Sequence, residues 1–187
     1  MKDFSKHGYQ GSSISQIARN AGVSKSLIFW YFKTKESLFH ALLERFVRFC
    51  LNSLDIKSPP GNAAEKIEHL IDTYWKFIRK NFKFVRLFMN WFMNLESSQK
   101  KDSKRLENLH QKFSTILEDY LNEGIKEGLF RKDINSGITA LYIISCLEGI
   151  LLQMIINNLS FDELGKEFFV EVNNNLLNGI ISKERTS

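Results

Sequence analysis

Six side chains within residues 24–31 have the chemistry of a surface that contacts a polyanion. Serine hydroxyls and a lysine ammonium can bond phosphate oxygens or base edges, and exposed rings can pack on thymine methyl groups. The six are Ser24, Lys25, Ser26, Phe29, Trp30 and Tyr31. This chemistry is recognition of a nucleic acid. The alternative for Phe29 and Tyr31 is burial in a small core, where aromatic rings are commonly packed.

Two short helices must position these side chains. Ser13 and Gln16 have the spacing of a capping box that starts the first helix, and Gly22 is placed to end it. Ser24 can cap the second helix. We expect Ala18 to let the two helices approach, Val23 to fill their small core, and Leu27 and Ile28 to point inward. Thr34 then precedes a third helix to about residue 54. The first two helices have the spacing of a helix-turn-helix.

The charge distribution agrees with a nucleic-acid-binding segment at the start of the chain. The 187 residues have a formal net charge of +5. Residues 1–50 contain eight Lys or Arg against three Asp or Glu, whereas residues 51–187 contain eighteen of each. All the excess positive charge therefore lies in the first quarter, which favours contact with a polyanion there.

The same region resembles the DNA-binding signature of the TetR (tetracycline repressor-like) transcriptional regulators. The pattern reads Ser13-Ile14-x-x-Ile17-Ala18-x-x-Ala21-Gly22-Val23-Ser24-Lys25-x-x-Ile28-Phe29-x-Tyr31-Phe32-Lys33-x-Lys35-Glu36-x-Leu38. Phe4-x-x-x-Gly8-Tyr9 before it is similar to the end of that family's first helix. That helix is usually about ten residues longer, so the chain looks truncated there, and Ser15 stands where an Arg is common.

The resemblance implies an all-α homodimer with an N-terminal helix-turn-helix domain that binds a double-stranded DNA operator. It also implies a C-terminal domain that holds a small effector and forms the dimer interface. By position, Lys25, Phe29, Trp30 and Tyr31 would lie on the recognition helix. Ser13 would meet a phosphate at its helix start, and Lys35 would do so from the start of the next helix.

A break at residues 58–62, which holds both prolines, predicts a linker between domains 1–54 and 62–187. Beyond it the apolar periodicity predicts helices at about 63–80, 83–97, 102–128, 135–157 and 161–183. No segment alternates with the period of a strand, so the predicted fold class is all-α.

Aromatic and thioether side chains between residues 74 and 93 are candidates to line an apolar effector cavity, although many must simply form core. Glu148, a carboxylate within an apolar stretch, needs a partner or a cationic ligand. The expected effector residues are Trp75, Phe88, Trp91, Phe92 and Glu148.

The last two predicted helices carry apolar stripes that suit a four-helix dimer interface, or else complete the core of one chain. The stripes consist of Leu141, Ile144, Leu151, Ile155, Phe168, Phe169, Val172, Leu176, Leu177 and Ile180. We expect a homodimer through these two helices.

Several classes of function are not indicated. The two cysteines and four histidines are dispersed, which predicts no metal site, and no catalytic triad or phosphate-cradling glycine loop indicates an enzyme or a cofactor. Residues 138–156 are long and apolar enough for a membrane span, but Glu148 near their middle favours a buried helix. The chain begins without the apolar run of a signal peptide, which favours the cytoplasm.

The leading hypothesis is therefore a ligand-responsive regulator, a repressor released from a pseudo-palindromic operator by a small hydrophobic effector. The alternative is a small helical hydrophobe-binding protein or enzyme without sequence-specific DNA binding.

Overall fold

The computed structural model describes residues 2–54, 59–93 and 103–181, and within these ranges the chain is all-α, as predicted. The eight helices there are α1 (Lys2–His7), α2 (Ile14–Ala21), α3 (Lys25–Tyr31), α4 (Lys35–Leu54), α5 (Ala63–Met93), α6 (Ser103–Lys126), α7 (Ser136–Ile156) and α8 (Phe161–Asn178). The described residues include no strand, only an isolated antiparallel bridge between Phe130 and Ile181.

The helices form two compact units. The N-terminal unit comprises the described residues of Met1–Asp55 and Lys80–Leu109, and the C-terminal unit those of Ile56–Arg79 and His110–Ser187. This division groups residues 80–93 and 103–109 with the start of the chain. The domain boundary expected at the proline pair stays a prediction.

The core of the N-terminal unit is built on aromatic rings from α1 and α4. Phe4 and Phe39 are fully buried and meet edge to face, with ring centroids 5.2 Å apart. Tyr9 packs on Phe39 at 5.1 Å, and Phe46 on Phe84 at 4.6 Å. These contacts hold α1 and the loop after it against α4, the helix that follows the two short helices.

The small interface between α2 and α3 is narrower than the sequence predicts. Ile14, Ala18 and Ile28 are buried, but Val23 is 38% exposed and Leu27 is 45% exposed. The prediction that Val23 and Leu27 point inward is therefore wrong. Adjacent helical residues differ in direction by about 100°, so in the short α3 the inward position goes to Ile28 and Leu27 lies on another face.

Helix α5 runs without a break from Ala63 to Met93. The sequence predicts two helices here with a break near residues 80–83, and that prediction is wrong. Neither glycine nor proline interrupts Arg79-Lys80-Asn81-Phe82, and Asn81, a residue type that can cap a helix, lies here in the helix interior. Residues 94–102, where the second of those helices was expected to end, lie outside the described residues.

The C-terminal unit has an aliphatic core to which α5, α6 and α7 contribute. Its fully buried large side chains include Ile67, Ile71, Leu117, Leu121, Ile143, Leu147 and Met154. Gly124 lets Phe130 fold back onto α6, because a Cβ atom at residue 124 would stand 2.2 Å from two ring carbons of Phe130.

Helix α7 is the most apolar helix of the described chain, and its length and composition would suffice to cross a membrane. One side of it is packed inside the C-terminal unit through Ala140, Ile143, Ile144, Leu147, Leu151, Met154 and Ile155. The other side is open and carries Ile138, Leu141, Tyr142 and Ile156, each more than half exposed. The open side therefore presents an apolar surface beyond the needs of the unit's own core.

Helix α8 begins with a capping box and bends at its first turn. The Ser160 backbone N–H donates to Glu163 Oε2 at 2.7 Å, and the Glu163 N–H donates to Ser160 Oγ at 3.3 Å. Gly165 then adopts φ 76° and ψ 168°, a conformation that essentially only glycine takes. The helix ends at Asn178, short of the predicted residue 183, and residues 182–187 lie outside the described residues.

Candidate nucleic-acid interface and effector site

The caps of the helix-turn-helix are formed by the residues that the sequence indicates. Ser13 Oγ accepts the backbone N–H of Gln16 at 3.2 Å, and Ser24 Oγ accepts that of Leu27 at 3.1 Å. Gly22 has φ 68° and ψ 25°, the left-handed conformation that ends α2. Local hydrogen bonds thus fix where α2 ends and where α3 begins.

Helix α3 presents its rings to solvent. Trp30 is 70% exposed, Tyr31 65% and Phe29 37%, so the alternative that Phe29 and Tyr31 form a core is wrong. The Trp30 and Tyr31 rings meet edge to face at 4.6 Å, and Lys25 Nζ lies 5.6 Å from the centre of the Phe29 ring. Ser24, Lys25 and Ser26 are exposed as well. All six side chains singled out in residues 24–31 are therefore accessible from outside.

Lys35 has a structural role that its sequence position does not reveal. Its Nζ donates to the backbone carbonyls of Tyr9 at 2.9 Å and Ser12 at 3.2 Å, and lies 4.4 Å from the centre of the Tyr9 ring. Burial, with a smaller contribution from the Glu36 carboxylate, raises the pKa of Tyr9. Lys35 thus joins the start of α4 to the loop before α2. A phosphate contact through its third N–H group stays a prediction.

In the C-terminal unit, Trp75 is the centre of an aromatic cluster. It is 5% exposed, and its ring lies 5.0 Å from Tyr74, 5.0 Å from Phe169 and 6.3 Å from Phe161. Sequence reasoning assigned Phe169 to the dimer stripe and missed Phe161. A partner from a distant part of the chain leaves no trace in local spacing.

Glu148 has a partner in His110. Its Oε1 lies 3.8 Å from His110 Nε2. Burial raises the pKa of Glu148, and the neighbouring His110 acts in the opposite direction. Burial, and secondarily the charge of Glu148, raises the pKa of Tyr74. Glu148 on α7 thus interacts with His110 on α6 and Tyr74 on α5, at a position where the Glu148 and His110 side chains are 56% and 43% exposed.

The five expected effector residues are not all in one unit. Trp75 and Glu148 belong to the C-terminal unit, whereas the buried Phe88 belongs to the N-terminal unit. The side chains of Trp91 and Phe92 lie outside the described residues. Among the residues that are described, no group of three or more His, Cys, Asp or Glu could hold a metal ion.

The apolar stripes expected at a dimer interface are largely used inside the unit. Of the ten residues, Ile144, Leu151, Ile155, Leu176, Leu177 and Ile180 are at most 8% exposed. Only Leu141 of that set is on the open side of α7, at 55%. For these six residues the alternative, that the stripes complete the core of one chain, is the right one. Periodicity identifies an apolar face without indicating whether it packs within the chain or between chains.

Comparison with known proteins agrees with this structure. A family profile described as bacterial regulatory proteins, tetR family, matches residues 1–42, and one described as tetracyclin repressor-like, C-terminal domain, matches residues 64–153. The chain is 25% identical to the nucleoid occlusion factor SlmA of Actinobacillus pleuropneumoniae, over 85% of this chain and 78% of the relative. It is 26% identical to the transcriptional repressor NicS of Pseudomonas putida, over 72% and 63%.

Solved structures share the fold over nearly the whole chain. The MbdR regulator of Azoarcus has 26% identity and a TM-score of 0.72, covering 96% of this chain and 93% of its own. The FadR regulator of Bacillus subtilis, solved with stearoyl-CoA, has 22% identity and a TM-score of 0.65, covering 97% and 93%.

The capped helix pair and its accessible second helix define a DNA-binding protein of the helix-turn-helix class. The chain belongs to the TetR family of transcriptional regulators, and it is a ligand-responsive, DNA-binding regulator. Family members are generally not enzymes, and they are soluble proteins that bind DNA operators and small effectors. The C-terminal profile covers α7 from its first residue to residue 153.

Proposed function

We propose that the chain is a homodimeric repressor whose α3 helices read the two half-sites of a pseudo-palindromic operator. The observation that carries this proposal is the accessible set of rings, hydroxyls and one ammonium on α3. Aromatic rings that stay in water contribute nothing to the stability of a seven-residue helix. Their exposure on α3 therefore favours a surface that binds a partner.

The side chains of α3 have different tasks in this proposal. Lys25 and the hydroxyls of Ser24 and Ser26 bond phosphates or base edges near the start of α3, and Ser13 meets a phosphate at the start of α2. The rings of Trp30 and Tyr31 contact bases, thymine methyl groups or sugars in the major groove. Phosphate contacts position the protein and ring contacts supply discrimination among sequences.

The open side of α7 supports the dimer. Ile138, Leu141 and Tyr142 form an exposed apolar patch near the start of α7, Ile156 is exposed at its end, and Val170 of α8 is 58% exposed. Two copies of this surface, related by a two-fold axis, can cover each other. The dimer is thus proposed through the last two helices, as the sequence indicates, but through their outward residues.

The effector is proposed to be a small, mainly apolar molecule held in the C-terminal unit near Trp75. The aromatic cluster around Trp75 supports this, since rings adapt to flat or chain-like apolar ligands. The relatives point the same way: the Bacillus subtilis relative is named a fatty acid metabolism regulator, and the KstR2 relative a ketosteroid regulator. Binding of the effector would weaken operator binding, and by linkage the operator would weaken effector binding equally.

A selection experiment tests operator recognition. Random duplex DNA is selected on the immobilised full chain, and we expect the recovered sequences to share an inverted repeat. In gel shifts on that DNA, Tyr31→Ala is expected to weaken binding by about 1–3 kcal/mol, and Lys25→Ala to reduce the slope of log K against log salt by about one. The matched control is Lys126→Ala, which removes an exposed positive charge from the C-terminal unit. Equal binding by all four proteins would mean that α3 is not the reading element.

A further inference from the structure

Two polar atoms in the C-terminal unit are buried without a hydrogen-bond partner. They are the indole nitrogen Nε1 of Trp75 and the amide oxygen Oδ1 of Asn173, as judged over the described part of the chain. A buried polar group that exchanges water for no partner destabilises the folded state. Folded proteins contain few such groups, so a donor and an acceptor left unpaired in one unit require an explanation.

Both atoms belong to the same contact between α5 and α8. Asn173 Nδ2 donates to Asp72 Oδ1 at 3.3 Å, and Asp72 lies about one turn before Trp75 on α5. Phe169, about one turn before Asn173 on α8, packs on the Trp75 ring at 5.0 Å. Two successive turns of α5 therefore meet two successive turns of α8, and the two residues that carry the unpaired donor and acceptor both take part in this contact.

The cluster is held in shape by an unusual bend. Phe161 and Phe169 are eight residues apart, which in a straight helix corresponds to a rise of about 12 Å. Their rings nevertheless stack with centroids 5.1 Å apart and planes 16° apart. The bend at Gly165 accounts for this approach. It gives Trp75 two aromatic neighbours from α8, one on either side of the bend.

The pairing needs of the two atoms restrict what can bind them. Asp72, which accepts from Asn173, also lies 3.9 Å from Lys76 Nζ, so its charge does not select the ligand. A carboxylate carries no donor and would leave Asn173 Oδ1 unpaired. A cation carries no acceptor and would leave the indole N–H unpaired. A neutral group with both an acceptor and a donor, such as a primary amide or a hydroxyl-bearing carbonyl, can satisfy both atoms.

We propose that Trp75 Nε1 and Asn173 Oδ1 hold the polar end of the effector, and that this end is a neutral group with an acceptor beside a donor. The indole N–H donates to the ligand's carbonyl oxygen, and Asn173 Oδ1 accepts its N–H or O–H. The ligand's flat apolar part lies against the rings of the cluster. This inference rests on the proposed function, because it names the chemistry of the effector.

Three probes that share one apolar ring system test the inference. 2-Naphthamide, 2-naphthoate and 2-naphthylmethylammonium are titrated calorimetrically into the full chain. We expect the amide to bind at least about 10-fold more tightly than either charged probe, and Trp75→Phe and Asn173→Leu each to weaken the amide about 10-fold. Tyr120→Phe, which removes a hydroxyl from α6 in the same unit, is the matched control and should bind as the parent does.

Three outcomes would each overturn the inference. Naphthoate could bind more tightly than the amide, the parent and Trp75→Phe could bind the amide with equal affinity, or the parent could fail to bind the amide. If the variants do not fold, the parent decides: the amide must shift the indole proton resonance of Trp75, assigned by elimination with Trp30→Phe and Trp91→Phe. An unmoved resonance would be equally decisive against it.

Gel shifts on the same ligand-free samples separate this inference from the proposed function. Retained DNA binding with no binding of the amide would reject the neutral-headed effector and leave the regulator intact. Binding of the amide by a chain that retains no duplex DNA would reject the operator proposal alone.

Discussion

Lys35 illustrates how a charged residue within a recognition motif can also hold the motif together. Two of its three N–H groups donate hydrogen bonds to the backbone carbonyls of Tyr9 and Ser12. Ser12 is itself buried, and its hydroxyl donates to the Gly8 carbonyl oxygen at 2.8 Å. These carbonyls lie in the loop that leads from α1 into α2. The lysine therefore stabilises the entry to the helix-turn-helix.

We predict that Lys35→Met lowers the free energy of unfolding by about 1–3 kcal/mol, because two carbonyls in a partly buried loop lose a charged donor. Lys33→Met, which removes an exposed charge two residues earlier, should change stability by less than about 0.5 kcal/mol. Urea unfolding followed by circular dichroism measures both. Equal free energies of unfolding for the two variants would show that the hydrogen bonds from Lys35 to the Tyr9 and Ser12 carbonyls do not stabilise the fold.

At the scale of the helix, the capping box of α8 connects helix stability to pH. Hydrogen bonds from the Ser160 hydroxyl and backbone N–H lower the pKa of Glu163 below its usual value. A carboxyl whose pKa is lower in the folded state adds stability above its unfolded pKa of about 4.3. That contribution is lost as the pH falls through the lower, folded pKa.

We predict that Ser160→Ala destabilises the protein by about 1 kcal/mol at pH 7, because α8 loses its N-cap. This difference should shrink but not vanish as the pH falls through the folded pKa of Glu163. Protonation removes the charged acceptor of the Ser160 hydroxyl, whereas the bond from the Glu163 N–H to Ser160 Oγ does not titrate. Denaturant midpoints from pH 7 to pH 3 give the comparison, and Glu163→Gln, which keeps the shape without the charge, is the control. A difference that stays constant over this range would contradict the role of the carboxylate.

The bend at Gly165 gives a second prediction at this scale. Gly165→Ala forces a Cβ into a backbone conformation reserved for glycine, which costs about 1–3 kcal/mol. Gly179→Ala is the control, since residue 179 has φ −67° and meets only ordinary contacts. Thermal unfolding distinguishes the two, and a Gly165→Ala variant as stable as Gly179→Ala would argue that the bend carries no strain.

The helices show which features a sequence can predict. Ser13, Gly22 and Ser24 act on residues within one turn, so their caps were predictable from spacing alone. The prediction of a break near residues 80–83 was wrong, because Asn81, a residue type that can cap a helix, is an interior residue of α5. The contact of Trp75 with Phe169 was not predictable, since it joins residues 94 positions apart.

For the whole molecule, the open side of α7 predicts the state of assembly. We expect the parent to be a dimer by light scattering at micromolar concentration, and Leu141→Glu to be a monomer, because a charge would be buried without a partner at the two-fold interface. Gln111→Glu, which places the same charge on an exposed position of α6, should remain dimeric. A dimeric Leu141→Glu would require another interface.

The function of the whole molecule was easier to predict than the residues of its effector site and dimer interface. The helix-turn-helix pattern is a dense local code over about thirty-five positions, whereas the effector and dimer residues depend on which apolar faces meet. Trp75, which was expected to contact an effector, is the centre of a buried aromatic cluster. Of its neighbours on α8, Phe169 was assigned to the dimer stripe and Phe161 to no site.

The apolar side of α7 also has a consequence for the life of the protein in a cell. A newly synthesised chain would carry this surface uncovered until it met a second copy, and uncovered apolar surface is what chaperones bind and proteases act on. Turnover would then be fast at low expression and slow once pairing is common. The amount of active regulator would rise more steeply than the dosage of its gene.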